Sequence, residues 1–301
     1  NVRWDEPTRA DNSTNVVIGA TGAILDGFTI TAGNADGTAD KFDGAGMFNM
    51  SSSPALANIT FSNNSARYYG GGIYIENSNP VLTEITLSGN DAANSGGGVY
   101  NHTSNTTFTH VTLSGNSAGI SGGGVHNVNS SLTLTNVIFD DNSALHCGGG
   151  MNNGGDSVLT NVIFSGNSAE DGGGMCGGGN PTLTNVTFSA NSATIGGGML
   201  NLYSSNPVLT NITFSNNHAA HGGGMANRYS SNPQIRNTIF WGNTGSGSGA
   251  QVFNDTNGAC DVRDSLVEGG CPPGSSCTRL RNADPLFVDA AGQQVGGDFV
   301  I

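Results

Sequence analysis

The feature that most constrains the fold is a repeat of about 26 residues that recurs along most of the chain. Glycine runs mark the copies, and their first residues lie 26 or 24 positions apart. These residues are Gly44, Gly70, Gly96, Gly122, Gly148, Gly172, Gly196 and Gly222. A chain that repeats at such a period stacks one small structural unit per copy, and each unit is covered only by its neighbours.

Each copy has the residue pattern of β-strands. In "LTNITFS", residues 209–215, apolar and polar residues nearly alternate, which is the periodicity of a strand rather than of a helix. When the copies are aligned, apolar residues fall into columns. One column is Ile30, Phe61, Leu87, Leu113, Phe139, Phe164, Phe188, Phe214 and Phe240. The pattern predicts an all-β fold, a single parallel β-helix of about ten turns and roughly 50 Å in length.

Asparagine and glycine columns predict the corners of this coil. A stacked asparagine amide donates to one neighbour, accepts from the other and tolerates left-handed backbone, so we expect ladders of side-chain amides at the bends. The first column is Asn64, Asn90, Asn116, Asn142, Asn167, Asn191, Asn217 and Asn243. The second is Asn58, Asn136, Asn161, Asn185, Asn211 and Asn237, interrupted by Glu84 and His110. The glycine runs are expected where a side chain would collide with the next turn.

Composition excludes several classes of partner. The 301 residues carry nine basic and 22 acidic side chains, a net charge of −13. No basic surface is available to neutralise phosphates, so we expect neither nucleic-acid binding nor attraction to anionic membranes. No run of 18 apolar residues occurs, so we expect no membrane insertion by this segment. The chain begins "NVRWDEP" without a signal peptide, which suggests a processed product.

The cysteines favour an exported protein. Five are present, and "CPPGSSC" at 271–277 predicts a disulfide between Cys271 and Cys277. The pairing of Cys147, Cys176 and Cys260 stays open. We expect one domain over 1–301. It consists of an irregular N-terminal segment at 1–15, regular repeats at 16–254 and irregular closing turns with the disulfide loop at 255–301.

The repeats resemble a known family. "NPTLTNVTFSANSATIGGGMLN" is similar to the glycine-rich copies of bacterial right-handed parallel β-helix repeat surface proteins, which include the polymorphic outer-membrane proteins. "AILDGFTITAGNADG" and "NADPLFVDAAG" resemble first and closing turns of that family. The likeness spans about residues 16–298. It implies a right-handed coil, a location outside the cell or on the bacterial cell surface, and a structural or adhesive role, and it supplies no catalytic residues.

One row of aromatic residues is the strongest candidate for a ligand-binding surface. The residue after each member of the column that begins at Met47 must point away from the core, because strand side chains alternate. In the first turns these outward residues are aromatic, and further tyrosines lie nearby. Exposed rings suit sugars or a partner protein, although such a row also stiffens a sheet. The candidate residues are Phe48, Tyr68, Tyr69, Tyr74, Tyr100 and His126.

A calcium loop is the only cofactor site that the sequence suggests. "NADGTADKFDGAG" places Asp36, Asp40 and Asp43 in one loop, and carboxylate oxygens are the ligands that Ca²⁺ prefers. Solvated acidic residues are the simpler interpretation. Apart from calcium, we expect no cofactor.

The residues therefore favour a non-catalytic structural or adhesive β-helix protein whose partner is an extracellular polysaccharide or another surface protein. Termini without a capping helix suggest self-assembly end to end. The alternatives are a carbohydrate-binding solenoid and a pectate-lyase-like polysaccharide lyase or hydrolase. Asp140–Asp141 is an isolated acidic pair without the clustered carboxylates of a glycosidase, so the sequence leans away from catalysis. Rows of threonine also resemble ice-binding solenoids, but threonine is common on exposed strands.

Overall fold

The computed structural model describes residues 12–37, 42–255 and 257–286. These residues coil into a β-solenoid in which each turn hydrogen-bonds to the turn before it and the turn after it. Neighbouring strands are parallel and lie one repeat apart, as in the pairs of Val99 with Ile73 and of Val99 with Val125. The predicted all-β parallel fold is confirmed. No helix in the described ranges is long and apolar enough to cross a membrane.

The first sheet contains ten strands of the described chain. They are Val17–Ile18, Met47–Met50, Ile73–Glu76, Val99–His102, Val125–Val128, Met151–Asn153, Met175–Gly177, Met199–Asn201, Met225–Asn227 and Val252–Asn254. The second sheet contains 14. They are Ile24–Asp26, Thr29–Thr31, Ala55–Ser62, Val81–Ser88, Thr107–Ser114, Thr133–Asp140, Val158–Ser165, Thr182–Ser189, Val208–Ser215, Gln234–Arg236, Ile239–Trp241, Asp261–Arg263, Leu266–Val267 and Ser276–Thr278.

Two small sheets complete the turns. One contains Asn34–Ala35, Ser65–Ala66, Asp91–Ala92, Ser117–Ala118 and Ser143–Ala144. The other contains Ser192–Ile195, His218–His221 and Thr244–Ser248. Each turn thus passes from the first sheet through a corner to the second sheet, then through a short strand and a glycine corner to the next turn.

The core consists of like residues stacked on like residues. Phe61 pairs with Leu87, and Leu87 pairs with Leu113, as the column predicted. From Phe139 to Phe240 the column is a stack of phenylalanine rings with centroids 4.5–4.8 Å apart. All of these side chains are fully buried. Stacked rings add about 0.5–1.5 kcal/mol per pair beyond the burial itself, so the column holds neighbouring turns in register.

The first asparagine column forms the predicted internal ladder. The Asn116 side chain shows the repeated geometry: its NH2 group donates to Oδ1 of Asn142 at 2.9 Å and to the backbone oxygen of Leu87 at 2.9 Å. The backbone N–H of Asn116 also donates to Oδ1 of Asn142, at 3.0 Å. The ladder side chains are completely buried from Asn64 to Asn217. Each amide therefore satisfies backbone groups that the bend takes out of the sheet.

The second asparagine column lies on the outside of the second sheet. Its members adopt left-handed backbone, as at Asn161 (φ 55°), so each strand bends at this point. Glu84 and His110 are also left-handed and continue the row as a close polar pair, with 3.4 Å between His110 Nδ1 and Glu84 Oε1. Asn136 Nδ2 lies 3.0 Å from His110 Nε2. The two exceptions in the sequence are therefore members of the same ladder.

The glycine corners are required by the stacking. Gly148 has φ 71°, in the left-handed region that favours glycine. A Cβ on Gly149 would lie 2.4 Å from the backbone oxygen of Ser168, and one on Gly150 would lie 2.6 Å from that of Gly174. Any side chain at these positions would collide with the next turn, as the sequence predicted.

Candidate functional site

The predicted aromatic row exists as a continuous stack. Ring centroids are 5.2 Å apart between Phe48 and Tyr74, and 5.4 Å apart between Tyr74 and Tyr100. The His126 ring continues the stack at 5.4 Å from Tyr100. The planes differ by only 2–9°. The strand register therefore aligns these side chains as the sequence predicted.

The stack is not the open platform that the sequence suggested. Tyr74 is only 8 % exposed, and the Tyr69 ring packs on Tyr100 with centroids 4.5 Å apart. Tyr68 lies on the same corner, is 38 % exposed and packs against Phe42 at 4.9 Å. The glycine corners fold back over the outer face of the first sheet, so the expectation of exposed rings is wrong at Tyr74. Whether the surface binds a ligand stays a prediction.

Burial changes the acid–base properties of this row. It raises the pKa of the Tyr100 hydroxyl to about 12. It also raises the pKa of the Tyr74 hydroxyl, which donates to Glu76 Oε2 at 2.7 Å. His126 is mostly buried, its Nδ1 has no hydrogen-bond partner among the described residues, and burial lowers its pKa to about 4. These groups are neutral at physiological pH and behave as packing side chains.

The same outward row becomes a second apolar core in the later turns. Cys176, Leu200 and Ala226 are fully buried there. They pack with side chains of the corners and of neighbouring strands, namely Cys147, Ile195, Leu202 and Phe253. The last residue before each glycine run contacts the row residue of the following turn. This rule brings Tyr69 to Tyr100, Cys147 to Cys176 and His221 to Phe253.

Two disulfides are present. The predicted bond between Cys271 and Cys277 is confirmed, and Cys147 bonds to Cys176, a pairing that the sequence left open. Cys260 is a free, buried thiol whose pKa is raised by burial. Disulfides persist in oxidising compartments, which agrees with a location outside the cytoplasm.

The predicted calcium loop lies partly outside the described residues, because Asp40 is not among them. Oδ1 of Asp43 accepts from the backbone N–H of Tyr69 at 2.9 Å, and Asp36 is half-buried. Within the described ranges no three His, Cys, Asp or Glu residues are grouped to hold a metal ion. The calcium site stays a prediction.

The acidic pair Asp140–Asp141 lies at a bend of the chain. Asp140 Oδ1 accepts from the hydroxyl of Ser165 in the next turn, and Asp141 is left-handed with φ 50°. Both residues therefore have a structural role at this bend.

One exposed pair of tyrosines was not predicted from the sequence. Tyr203 and Tyr229 lie on successive corners between the first and second sheets, and their rings stack with centroids 5.3 Å apart and planes 7° apart. They are 72 % and 46 % exposed. The guanidinium carbon of Arg228 lies 4.9 Å from the centroid of Tyr229. The shared words "LYSSNP" and "RYSSNP" in two lengthened corners were the available signal.

These tyrosines are held in an unfavourable backbone conformation. Tyr203 and Ser204 have φ 58° and 63°, and Tyr229 and Ser230 have φ 53° and 64°. Left-handed backbone costs a non-glycine residue about 1–2 kcal/mol, and such strain concentrates at functional positions. A hydrogen bond of 2.9 Å from the N–H of Ser204 to the oxygen of Tyr229 joins the two corners.

Comparisons with known families agree with this architecture. A family described as right handed beta helix region matches residues 123–283, which is more than half of the chain. The Chlamydia polymorphic membrane protein repeat matches residues 58–76. Neither the curated proteins nor the solved structures gave a significant match. The likeness to polymorphic membrane protein repeats, expected from the sequence, is confirmed.

Proposed function

Because the chain belongs to the right-handed β-helix family, we propose that it is an extracellular or cell-surface rod that mediates adhesion through its corner loops. The polymorphic membrane protein repeat at 58–76 and the two disulfides support the location. The observation that carries the adhesive role is the exposed, stacked pair of Tyr203 and Tyr229.

This pair has the properties of a contact surface. Aromatic rings bury much apolar area when a partner covers them, and their hydroxyl groups stay available for hydrogen bonds. Both rings are fixed in advance by mutual stacking and by the hydrogen bond between their corners, so little side-chain entropy is lost on binding.

The solenoid suits the presentation of such loops. The first and second sheets and the buried asparagine ladder connect successive turns, so a corner keeps a fixed position along the rod. Loops on a rigid scaffold are where proteins commonly place binding residues.

An adhesion assay tests the proposal. Beads that carry the full chain are applied to epithelial monolayers, to bacterial cells and to immobilised polysaccharides, and retained beads are counted after washing. We expect retention on at least one surface, and a loss of at least about fivefold for the double variant Tyr203→Asn/Tyr229→Asn. Asparagine tolerates left-handed backbone, so the rings are removed without added strain.

The matched control is Phe28→Ala, which removes an exposed aromatic ring near the other end of the described chain. It should leave retention unchanged. Retention no greater than that of albumin-coated beads on every surface would show that the proposed adhesive function is wrong. End-to-end assembly and polysaccharide cleavage stay predictions, to be tested by electron microscopy and by assays for reducing or unsaturated ends.

A further inference from the structure

We propose that Tyr203 and a notch beside it form a binding site for a short run of sugar units of a neutral glycan. This inference rests on the proposed adhesive function, since it names the ligand class of the same corner surface. The notch is lined by polar corner residues and by glycine backbone, and it encloses about 390 Å³. Ligand pockets commonly enclose about 300–1,000 Å³. Its lining includes Gly154, Gly155, Gly178, Gly179, Asn105 and Asn180.

The notch arises because the corners between the first and second sheets differ in length. Seven positions separate Asn127 from Leu134, but only six separate Asn153 from Leu159 and Gly177 from Leu183. In the next turn eight positions separate Asn201 from Leu209. Two short corners therefore lie between corners of ordinary and greater length.

Steric contacts explain some of the glycines in the notch but not all of them. A Cβ on Gly155 would lie 1.9 Å from the backbone oxygen of Ser130, and one on Gly179 would lie 2.1 Å from that of Gly155. A Cβ on Gly178 would meet nothing closer than the backbone oxygen of Leu202 at 3.5 Å, which is an ordinary contact. Gly178 also has no left-handed φ. Stacking of the turns therefore does not require glycine at Gly178.

Gly178 keeps one side of the Tyr203 ring open. A Cβ on Gly178 would lie 3.8 Å from Cδ2 of Tyr203, so any longer side chain there would cover the ring. On its other side Tyr203 is stacked on Tyr229. Beyond Tyr229, Arg228 lies over that ring and pairs with Asp255, with 3.8 Å between Nε and Oδ2. The ring stack is thus closed at one end and open toward the notch.

The polar groups of the notch are oriented by the corner ladder. Oδ1 of Asn105 accepts from the N–H of Ser131 at 3.0 Å, and Oδ1 of Asn180 accepts from the N–H of Asn206 at 2.8 Å. These contacts direct the two amide NH2 groups, which are exposed and donate no hydrogen bond within the described residues. They are available to hydroxyl or carbonyl oxygens of a ligand.

An aromatic face with amide donors along neighbouring corners fits a glycan chain. The C–H face of one sugar ring packs on Tyr203 and its hydroxyl groups reach Asn180 in the preceding turn. Asn105 lies four turns from Tyr203, about 19 Å away at about 4.8 Å per turn, and meets another sugar unit of the chain. The ligand should be neutral because the protein carries a net charge of −13 and Asp156 also lines the notch. Oδ1 of Asp156 accepts from the N–H of Asn180 at 2.8 Å, so its carboxylate is part of this wall. An acidic sugar would meet repulsion there.

Calorimetric titration with defined oligosaccharides tests the inference. The probes are hexamers of β-1,4-linked glucose, N-acetylglucosamine, mannose and xylose, and hexagalacturonate is the charged comparison. We expect at least one neutral hexamer to bind and hexagalacturonate to bind at least tenfold more weakly. Tyr203→Asn, which removes the ring, and Gly178→Gln, which fills the notch, should each weaken binding at least tenfold.

Two matched controls separate the site from general effects. Gly178→Ala adds a methyl group within ordinary contact distance, and Phe28→Ala removes a distant exposed aromatic ring, so neither should change affinity by more than about twofold. Circular dichroism and the melting temperature verify that each variant is folded. If none of the neutral hexamers binds, or if binding is unchanged in folded Tyr203→Asn, the inference is wrong.

The outcome for the glycan is distinguishable from the outcome for adhesion. Beads that adhere through Tyr203 but bind none of the hexamers would leave the adhesive function standing and would refute the glycan site. Hexamer binding that depends on Tyr203, by beads that adhere to no surface, would support the glycan site and refute the adhesive function.

Discussion

The buried asparagine ladder can be tested at its middle by the substitution Asn142→Ala. The Asn142 NH2 group donates to Asn167 Oδ1 at 3.0 Å and to the backbone oxygen of Leu113 at 2.9 Å. Its Oδ1 accepts from the backbone N–H of Asn116 at 3.0 Å and from the NH2 group of the same residue at 2.9 Å. Asn142 is 0 % exposed. Alanine therefore removes four hydrogen bonds. Asn167 Oδ1 still accepts from the backbone N–H of residue 142, and the Asn116 NH2 group still donates to Leu87, whereas the backbone N–H of Asn116 and the backbone oxygen of Leu113 lose the partner named here.

The expected loss of stability follows from the last two groups. A buried donor or acceptor left without a partner costs about 1–3 kcal/mol. The two groups together therefore cost about 2–6 kcal/mol. Natural domains have unfolding free energies of only about 5–15 kcal/mol, so one such change removes a large part of the stability.

The matched control is Asn161→Gly in the outer ladder. Asn161 is exposed, has φ 55°, and makes hydrogen bonds of 3.0 and 3.1 Å with Asn136 and Asn185. Glycine adopts left-handed backbone readily, and water replaces the exposed hydrogen bonds. The loss should stay within about 1 kcal/mol.

Urea unfolding of both variants, followed by circular dichroism, measures these losses. The midpoint should fall strongly for Asn142→Ala and little for Asn161→Gly. A fall in the m-value instead would mean that turns on either side of Asn142 unfold separately, as expected for a repeat array whose cooperativity is broken. Equal losses for the two variants, or a loss below about 1 kcal/mol for Asn142→Ala, would refute the role assigned to the buried ladder.

Three further predictions concern the corners and the second core. Removing the disulfide by Cys147→Ser/Cys176→Ser should destabilise the protein by about 3–4 kcal/mol, because the bond closes a loop of 29 residues. Differential scanning calorimetry of the variant and of the oxidised parent protein measures this loss. Burial lowers the pKa of His126 from 6.5 to about 4. Below pH 6.5 the unfolded chain therefore binds a proton at His126 more readily than the folded protein does, so the free energy of unfolding should decrease as the pH falls toward 4. His126→Phe should make the melting temperature less dependent on pH between these values. An unchanged pH dependence would contradict the assignment. Gly173→Ala places a Cβ 2.4 Å from a backbone oxygen of the next turn and should lower the melting temperature by several degrees, whereas Gly178→Ala should change it little.

The fold was predictable because each structural position recurs in every copy of the repeat. The aligned column that begins at Ile30 showed that Phe61, Leu87 and Leu113 occupy equivalent sites, and the strand register confirms this. The buried and outer asparagine ladders followed from the same alignment. Strand alternation also fixed the direction of Tyr74 and Tyr100 correctly.

The candidate site was less predictable because alternation gives the direction of a side chain but not what covers it. The sequence did not show that each glycine corner folds over the outer face of the first sheet and reaches the following turn. For this reason Tyr74 was expected to be exposed, and the pairing of Cys147 with Cys176 could not be chosen. Tyr203 and Tyr229 were missed because they lie on an irregular corner, outside the aligned columns.

The repeat also explains why binding residues are expected at the corners. A strand residue packs against equivalent residues in the turn before and the turn after. A change in the size of its side chain therefore disturbs the packing at two interfaces. A corner can gain or lose a residue while the strands on both sides keep their register, as the pairs of Leu159 with Leu183 and of Leu183 with Leu209 show. Because one corner is long where its neighbour is short, Tyr203 is supported by Tyr229 on one face and left open on the other. A difference of two residues between adjacent corners, from six positions to eight, is therefore sufficient to create a ligand-sized surface on an otherwise uniform rod.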